Sequence, residues 1–206
     1  VRKMKLTKSG NELYGLYNDG NKSTLIRQDV SKSYVNQPQF TWQKSFNFHM
    51  HDYAISSNAK SIAVCGDSHI YQSGNFGKSW AKSSKAFTFS TITMSSDGQY
   101  RCVNDSNNSN IDNFYTSNDW GKSWIKETQI KGNGTTGSGL QAMSANGDFI
   151  YALVRDDTSY LYIGQRMKPA IKSLTISNSD ITIGYEMWPK KLTDDTIQTA
   201  IDDWLN

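Results

Sequence analysis

Two octets decide the fold of this chain: Ser73-Gly-Asn-Phe-Gly-Lys-Ser-Trp80 and Ser117-Asn-Asp-Trp-Gly-Lys-Ser-Trp124. Both follow the pattern S-x-[D/N]-x-G-K-S-W, stand 44 residues apart and are preceded by a strand-like apolar run. Self-similarity at a period of about 40 to 50 residues is the spacing of four-stranded propeller blades. The sequence therefore predicts an all-β repeat protein.

Each octet has the composition of a tight turn with an apolar anchor. The Asp or Asn accepts backbone N–H bonds, the Gly two residues later adopts the left-handed conformation, and the Trp packs against the core. We predict a structural role for five positions of each octet. These are Ser73, Asn75, Gly77, Ser79 and Trp80 in the first, and Ser117, Asp119, Gly121, Ser123 and Trp124 in the second.

The octets resemble the Asp-box, or bacterial neuraminidase repeat, S-x-D-x-G-x-[T/S]-W, of sialidase-like and sortilin-type propellers. The second octet matches every defined position, whereas the first has Asn75 in place of Asp. Thr41 and Trp42 keep the ending of a third, degenerate box. The resemblance implies a sialidase-like β-propeller in which each box joins the third and fourth strands of a blade, away from the substrate site.

Apolar runs and Ser/Asn/Gly turns repeat around the boxes. The N-terminal run fits the second half of a unit that ends at Trp42, and a fourth unit, without a box, ends at Ile163. We therefore predict about four blade-like units in residues 1–168, the outer ones incomplete. Residues 169–206 are predicted to form two strands and a C-terminal helix at a junction to another module.

Composition narrows the function classes. The 206 residues are 36% hydrophobic and 12% aromatic, which is enough for a core. The net charge is +3 and the basic residues are scattered, so we predict no nucleic-acid partner. No apolar stretch is long enough for a membrane span. The chain begins at Val1 without an initiator methionine, which suggests a portion of a longer or processed polypeptide.

The sequence offers no complete catalytic site. The sialidase resemblance implies three arginines that converge on a carboxylate, a Tyr/Glu nucleophile pair and an acidic group. None of the five arginines lies in the sequence context that those enzymes carry, and there are three glutamates. We predict no catalytic residue. The arginines are Arg2, Arg27, Arg101, Arg155 and Arg166, and the glutamates are Glu12, Glu127 and Glu186.

No metal or cofactor is predicted either. His49 and His51 share a strand face, and Asp52 and His69 lie near in sequence, but the spacing lacks a firm third ligand. The glycine-rich residues 132–139 lack the lysine and helix of a phosphate loop. Two cysteines in adjacent repeats, Cys65 and Cys102, leave a disulfide and two buried thiols as alternatives.

The C-terminal tail resembles the segment that introduces BspA-like repeat regions in surface proteins of microbes, algae and large DNA viruses. This resemblance implies an extracellular, cell-surface or virion location. The favoured function is a noncatalytic surface binding or structural module, with a glycan, a cell-surface receptor or neighbouring chains as partner. The alternatives are a fragment of a sialidase-like glycoside hydrolase and a purely architectural component of an assembly.

Overall fold

A computed structural model describes most of the first 186 residues, and it contains strands and turns but no helix in that part. The all-β prediction is confirmed. The predicted C-terminal helix lies outside the described residues. The described ranges are 3–31, 41–87, 91–106, 112–128, 140–155, 159–166, 170–176 and 181–186.

Sheet 1 is a four-stranded antiparallel meander. Its strands are β1 (Lys3–Leu6), β2 (Glu12–Asp19), β3 (Lys22–Asp29) and β4 (Trp42–Phe46). The prediction that the first unit is incomplete was therefore wrong. The strand that the sequence analysis missed is β1, which has four residues and in which the apolar side chains of Met4 and Leu6 are exposed while the two lysines are half-buried.

Sheets 2 and 3 repeat this meander around the two octets. The strands of sheet 2 are β5 (Met50–Ile55), β6 (Ile62–Gly66), β7 (His69–Ser73) and β8 (Ala81–Lys82). The strands of sheet 3 are β9 (Thr91–Met94), β10 (Arg101–Ser106), β11 (Asp112–Ser117) and β12 (Ile125–Lys126). In both sheets the octet connects the third strand to the fourth.

Sheet 4 has three strands in the described part of the chain, and a two-stranded sheet follows it. The strands are β13 (Leu140–Met143), β14 (Phe149–Arg155), β15 (Ser159–Gln165), β16 (Ala170–Ile176) and β17 (Ile181–Glu186). The final pair agrees with the two strands predicted after residue 169. The assignment of residues 169–206 to a separate junction stays a prediction.

Consecutive sheets are joined by backbone hydrogen bonds between the turns that connect their first and second strands. Lys8 N donates to Ser57 O at 2.9 Å, Ser57 N to Ser96 O at 2.7 Å, and Ser96 N to Ala145 O at 2.7 Å. Each donor and acceptor occupies the same place in its turn. Each of the four sheets is therefore bonded to the next through the same turn position, as expected for repeats of one unit.

The core lies between sheets rather than inside one. One cluster joins sheets 1 and 2 through Tyr14, Leu16, Met50 and Ile62, which are fully buried. A second joins sheets 2 and 3, and a third joins sheets 3 and 4 through Phe114 and other side chains. Each sheet needs its neighbour to remove its apolar face from water.

Candidate functional site

The first box turn, residues 73–80, is held by its own polar side chains. Ser73 Oγ accepts from the backbone N–H of Gly77 at 2.9 Å, and Asn75 Oδ1 accepts from Ser79 N at 2.9 Å. Asn75 Nδ2 donates to Ser79 Oγ at 2.8 Å. Trp80 Nε1 donates back to Gly77 O at 2.9 Å. The five predicted positions thus meet in a single turn.

The second box turn, residues 117–124, repeats the bonds to the backbone N–H groups, but its carboxylate accepts from the Ser123 hydroxyl, whereas the Asn75 amide donates to the Ser79 hydroxyl. Ser117 Oγ accepts from Gly121 N at 2.9 Å, and Asp119 accepts from Ser123 N at 3.0 Å and from Ser123 Oγ at 2.6 Å. Trp124 Nε1 is buried and has no partner among the described residues. The tryptophan hydrogen bond of the first turn is the main feature that the second lacks.

Hydrogen bonds hold the carboxyl group of Asp119 in its ionised form. Burial acts to raise the pKa of Asp119, but bonds from the Ser123 side chain and backbone, from Ser117 and from Lys122 N outweigh it. The net result is a pKa of about 2. The carboxylate therefore closes the turn as an acceptor and is a poor proton donor near neutral pH.

Both boxes pack against the preceding sheet through their glycine. A Cβ at Gly77 would lie 2.6 Å from the Trp42 ring, and a Cβ at Gly121 would overlap Gln72 Oε1. The φ angles of the two glycines are 80° and 81°. The sequence therefore needs glycine there for both the backbone and the close approach.

The degenerate box residues occupy the corresponding place in sheet 1. Thr41 N and Thr41 Oγ1 both donate to Arg27 O, at 2.9 and 3.0 Å. Trp42 starts β4 and packs against the cluster between sheets 1 and 2. In all three places the box residues make turn hydrogen bonds or pack against the core, which is the kind of contact that a structural role requires. Membership of the Asp-box family stays a prediction.

Arg101, the arginine at the start of β10, is buried between sheets 2 and 3, with 2% of its surface exposed. Its Nη1 donates to Gln72 Oε1 at 2.6 Å, its Nη2 to Ser61 Oγ at 2.7 Å and its Nε to Gly98 O at 3.0 Å. Burial lowers its pKa to about 10, although Asp119 acts in the opposite direction. This guanidinium links two sheets, and all three of its acceptors are neutral.

A cavity of about 390 Å³ lies where the first strands of the four sheets come together, and we call it the central cavity. Its lining comes entirely from β1, β5, β9 and β13. The polar lining residues are Lys3, Lys5, Asp52, Thr91, Thr93 and Gln141. Apart from Asp52, which was considered only as a metal ligand, sequence reasoning missed them. The available signal was a carboxylate within the buried strand β5 and two lysines alternating along β1.

Asp52 is the carboxylate of the central cavity, and both of its oxygens are engaged. Oδ1 accepts from Lys3 Nζ at 2.5 Å, and Oδ2 accepts from the backbone N–H of Ile92 at 2.9 Å. Lys5 makes no ion pair with a described residue. Burial lowers the pKa of Lys5, Lys3 adds to that effect and Asp52 opposes it. The cavity therefore has a cationic side at β1.

Gln141, on β13, also lines the cavity, and its side-chain amide is only partly paired. Its Nε2 donates to Thr91 O at 2.7 Å and to Cys102 O at 3.1 Å. Its Oε1 is buried and has no partner among the described residues. An unpaired buried acceptor is costly, so this amide oxygen is the one atom of the Gln141 side chain that the described residues leave unsatisfied.

The remaining sequence candidates do not assemble into a site in the part of the chain that the structure covers. The rings of His49 and His51 are 5.1 Å apart, but no group of three metal-ligating residues forms among the described residues. Cys65 and Cys102 are free and buried in different clusters. Burial raises the pKa of both thiols. We also find no described helix with the length and hydropathy of a membrane span.

Solved structures share this arrangement of sheets. TolB from Acinetobacter baumannii matches with a TM-score of 0.57 and 15% identity over 87% of this chain and 42% of that one. The WD40 domain of Toxoplasma gondii coronin matches with a TM-score of 0.56 and 11% identity over 79% and 42%. The β-propeller domain of Myceliophteria thermophila Cps50 (Swd1) matches with a TM-score of 0.50 and 8% identity over 90% and 62%.

These likenesses establish the fold: the chain is an all-β protein of the propeller type. It spans less than two thirds of the length of each of the three propeller structures. No protein-family model and no curated protein matches the chain. The fold alone therefore enters the functional argument, because one fold hosts many functions.

Proposed function

We propose that this propeller is a noncatalytic binding or structural module of a surface protein, extracellular or on a virion or cell surface. The observation that carries the proposal is the state of Asp52 in the central cavity. Glycoside hydrolysis needs a second acidic or nucleophilic group across from the first. Among the described residues that line the cavity Asp52 is the one carboxylate, and its two oxygens are held by Lys3 and by the Ile92 amide.

The position of Arg101 supports the same proposal. An arginine that recognises a substrate carboxylate must present its guanidinium to a cavity. Arg101 instead donates from Nη1 and Nη2 to Gln72 and Ser61 of sheet 2, and from Nε to Gly98 O in the turn of its own sheet 3. The cationic side of the central cavity at Lys3 and Lys5 favours an anionic group on a glycan or receptor as its ligand.

A turnover assay together with a glycan array tests this proposal. We expect a fluorogenic sialoside to be hydrolysed no faster with the 206-residue chain than in buffer alone. On the array, we expect the chain to bind a subset of acidic glycans. Replacing Lys5 by Met should weaken that binding without unfolding the protein, because Lys5 makes no ion pair with a described residue. Turnover that disappears in Asp52→Asn would overturn the noncatalytic proposal in favour of the sialidase-like alternative.

The architectural alternative is supported by a separate observation. The outer face of sheet 1 exposes Met4 and Leu6 by 63% and 58%, and that of sheet 4 exposes Leu161 by 58%. Faces of this kind suit packing against a further sheet. If they do so in solution, sedimentation velocity will show concentration-dependent association that Met4→Lys with Leu6→Lys removes. A monomer at all concentrations would count against this alternative.

A further inference from the structure

Two aromatic side chains project from equivalent positions of the two box turns. Phe76 and Trp120 each precede the box glycine, and their side chains are 43% and 48% exposed. Their φ angles are 61° and 60°, in the left-handed region that bulky residues rarely adopt. Glycine or asparagine would satisfy this backbone at lower cost. Burial does not compensate for the strain, so folding alone does not account for the two rings.

The structure holds both rings at the same end of neighbouring sheets. The backbone N–H of Phe76 donates to Lys60 O, and that of Trp120 to Gln99 O, both at 3.0 Å. Each box turn is thus fixed to the turn between the first and second strands of its own sheet. Gln72 Nε2, just before the first box, donates to Gly121 O of the second at 3.0 Å. These hydrogen bonds connect the two turns that carry the aromatic residues.

The surroundings of the rings are cationic. Lys60, Lys78 and Lys122 are exposed, and none of them forms an ion pair with a described residue. The acids nearby are used within turns: Asp97 accepts from Gln99 N at 3.0 Å, and Asp119 accepts from Ser123. We call Phe76, Trp120 and these three lysines the box-turn face. The three lysines outnumber the two carboxylates, Asp97 and Asp119, and this excess of positive charge favours an anionic partner.

We propose that the box-turn face binds an acidic glycan, with Phe76 and Trp120 against the C–H faces of sugar rings and the lysines on carboxylate or sulfate groups. An exposed turn face presents no unpaired strand edge, so a peptide cannot add to it as a strand. Aromatic rings among amide and ammonium groups suit a ligand that is apolar on its ring face and polar at its rim. This inference rests on the proposed role as a surface binding module and adds a second surface, distinct from the central cavity.

Because the two aromatic residues are strained and exposed, replacing them should lower the affinity for the glycan without lowering the Tm. In Phe76→Asn with Trp120→Asn, the left-handed backbone suits the new residue better, so we expect an unchanged or higher Tm. We expect the affinity of the 206-residue chain for polygalacturonate, measured by affinity electrophoresis, to fall about tenfold or more, since each lost stacking contact is a large part of the binding free energy. Tyr17→Asn is the matched control, because Tyr17 is 47% exposed on sheet 1 and should leave the affinity unchanged.

A second experiment removes the positive charges of the box-turn face. The triple change Lys60→Gln, Lys78→Gln, Lys122→Gln should weaken polygalacturonate binding and flatten its salt dependence. Neutral dextran serves as the uncharged reference, and polyglutamate as the acidic peptide. Undiminished binding by the double aromatic variant would overturn the proposal, as would equal binding of polyglutamate or a complete lack of polygalacturonate binding. None of these results would contradict the proposed noncatalytic function, because the turnover assay and the Lys5→Met variant test the central cavity and not the box-turn face.

Discussion

The first and second box turns have the same backbone but rest on different surfaces. Gly77 and Gly121 differ by 1° in φ, and the Ser and Asp or Asn side chains close both turns alike. The first turn packs on the ring of Trp42 in sheet 1. The second packs on Gln72 of sheet 2 and the guanidinium of Arg101. One sequence pattern therefore serves an apolar and a polar contact between sheets.

The difference originates in the second strand of each sheet. Ile62 pairs with Ser73 in sheet 2, and Arg101 pairs with Ser117 in sheet 3, so the two residues occupy equivalent places. With isoleucine at this position the interface consists of apolar and aromatic contacts, whereas arginine adds two hydrogen bonds across it, to Gln72 and Ser61. The octet determines the conformation of the turn, whereas residues outside the octet determine whether the contact between sheets is apolar or polar.

Removing Arg101 should have the largest effect. Arg101→Ala leaves Gln72 Oε1, Ser61 Oγ and the Gly98 carbonyl without their donor and opens a cavity between sheets 2 and 3. We expect the free energy of unfolding to fall by about 3 to 4 kcal/mol in urea denaturation. The control is Arg27→Ala, whose half-exposed contact with Glu12 spans 3.6 Å and should contribute less than about 1 kcal/mol. Equal losses would show that Arg101 is not a specific link.

The two box tryptophans should be nearly equivalent as apolar anchors. The Trp80 ring meets Phe46 edge-on at 5.2 Å, and the Trp124 ring meets Phe87 at 5.4 Å. Trp80→Ala and Trp124→Ala should each lower the free energy of unfolding by about 3 kcal/mol, because both tryptophans are partly buried. Trp120→Asn, at an exposed tryptophan, should cost nothing. A loss below about 1 kcal/mol at either anchor would show that its box is peripheral.

Replacing each box tryptophan by phenylalanine should reveal a difference in stability between Trp80 and Trp124. Trp80→Phe removes the hydrogen bond from Nε1 to Gly77 O, whereas Trp124→Phe removes a buried N–H that has no partner in the described part. Both changes lose the same volume. We therefore expect Trp80→Phe to cost about 1 kcal/mol more than Trp124→Phe in urea denaturation. The reverse order would mean that Trp124 Nε1 has a partner in solution.

Sequence reasoning reached the parts of this fold that local chemistry determines. The octets predicted the turn, its position between the third and fourth strands through the family resemblance, and the all-β class. The function of Arg101 escaped it, because that residue acts through Ser61 and Gln72, which the chain places 40 and 29 positions away. The central cavity escaped it for a related reason: four separate strands contribute its lining, and their meeting depends on the order of the sheets.

The smallest expected effect concerns the acid itself. Asn75 closes the first turn without a charge, so Asp119→Asn should cost less than about 1 kcal/mol at pH 7. Since hydrogen bonds lower the pKa of Asp119 from the ordinary 3.8 to about 2, its ionised form stabilises the fold above pH 4. That contribution is lost as the pH falls through about 2. Unfolding monitored by tryptophan fluorescence between pH 5 and 2 should therefore show the chain and Asp119→Asn converging. Asn75→Asp should acquire the same dependence in sheet 2, and parallel curves for all three proteins would mean that the carboxylate does no more than the amide.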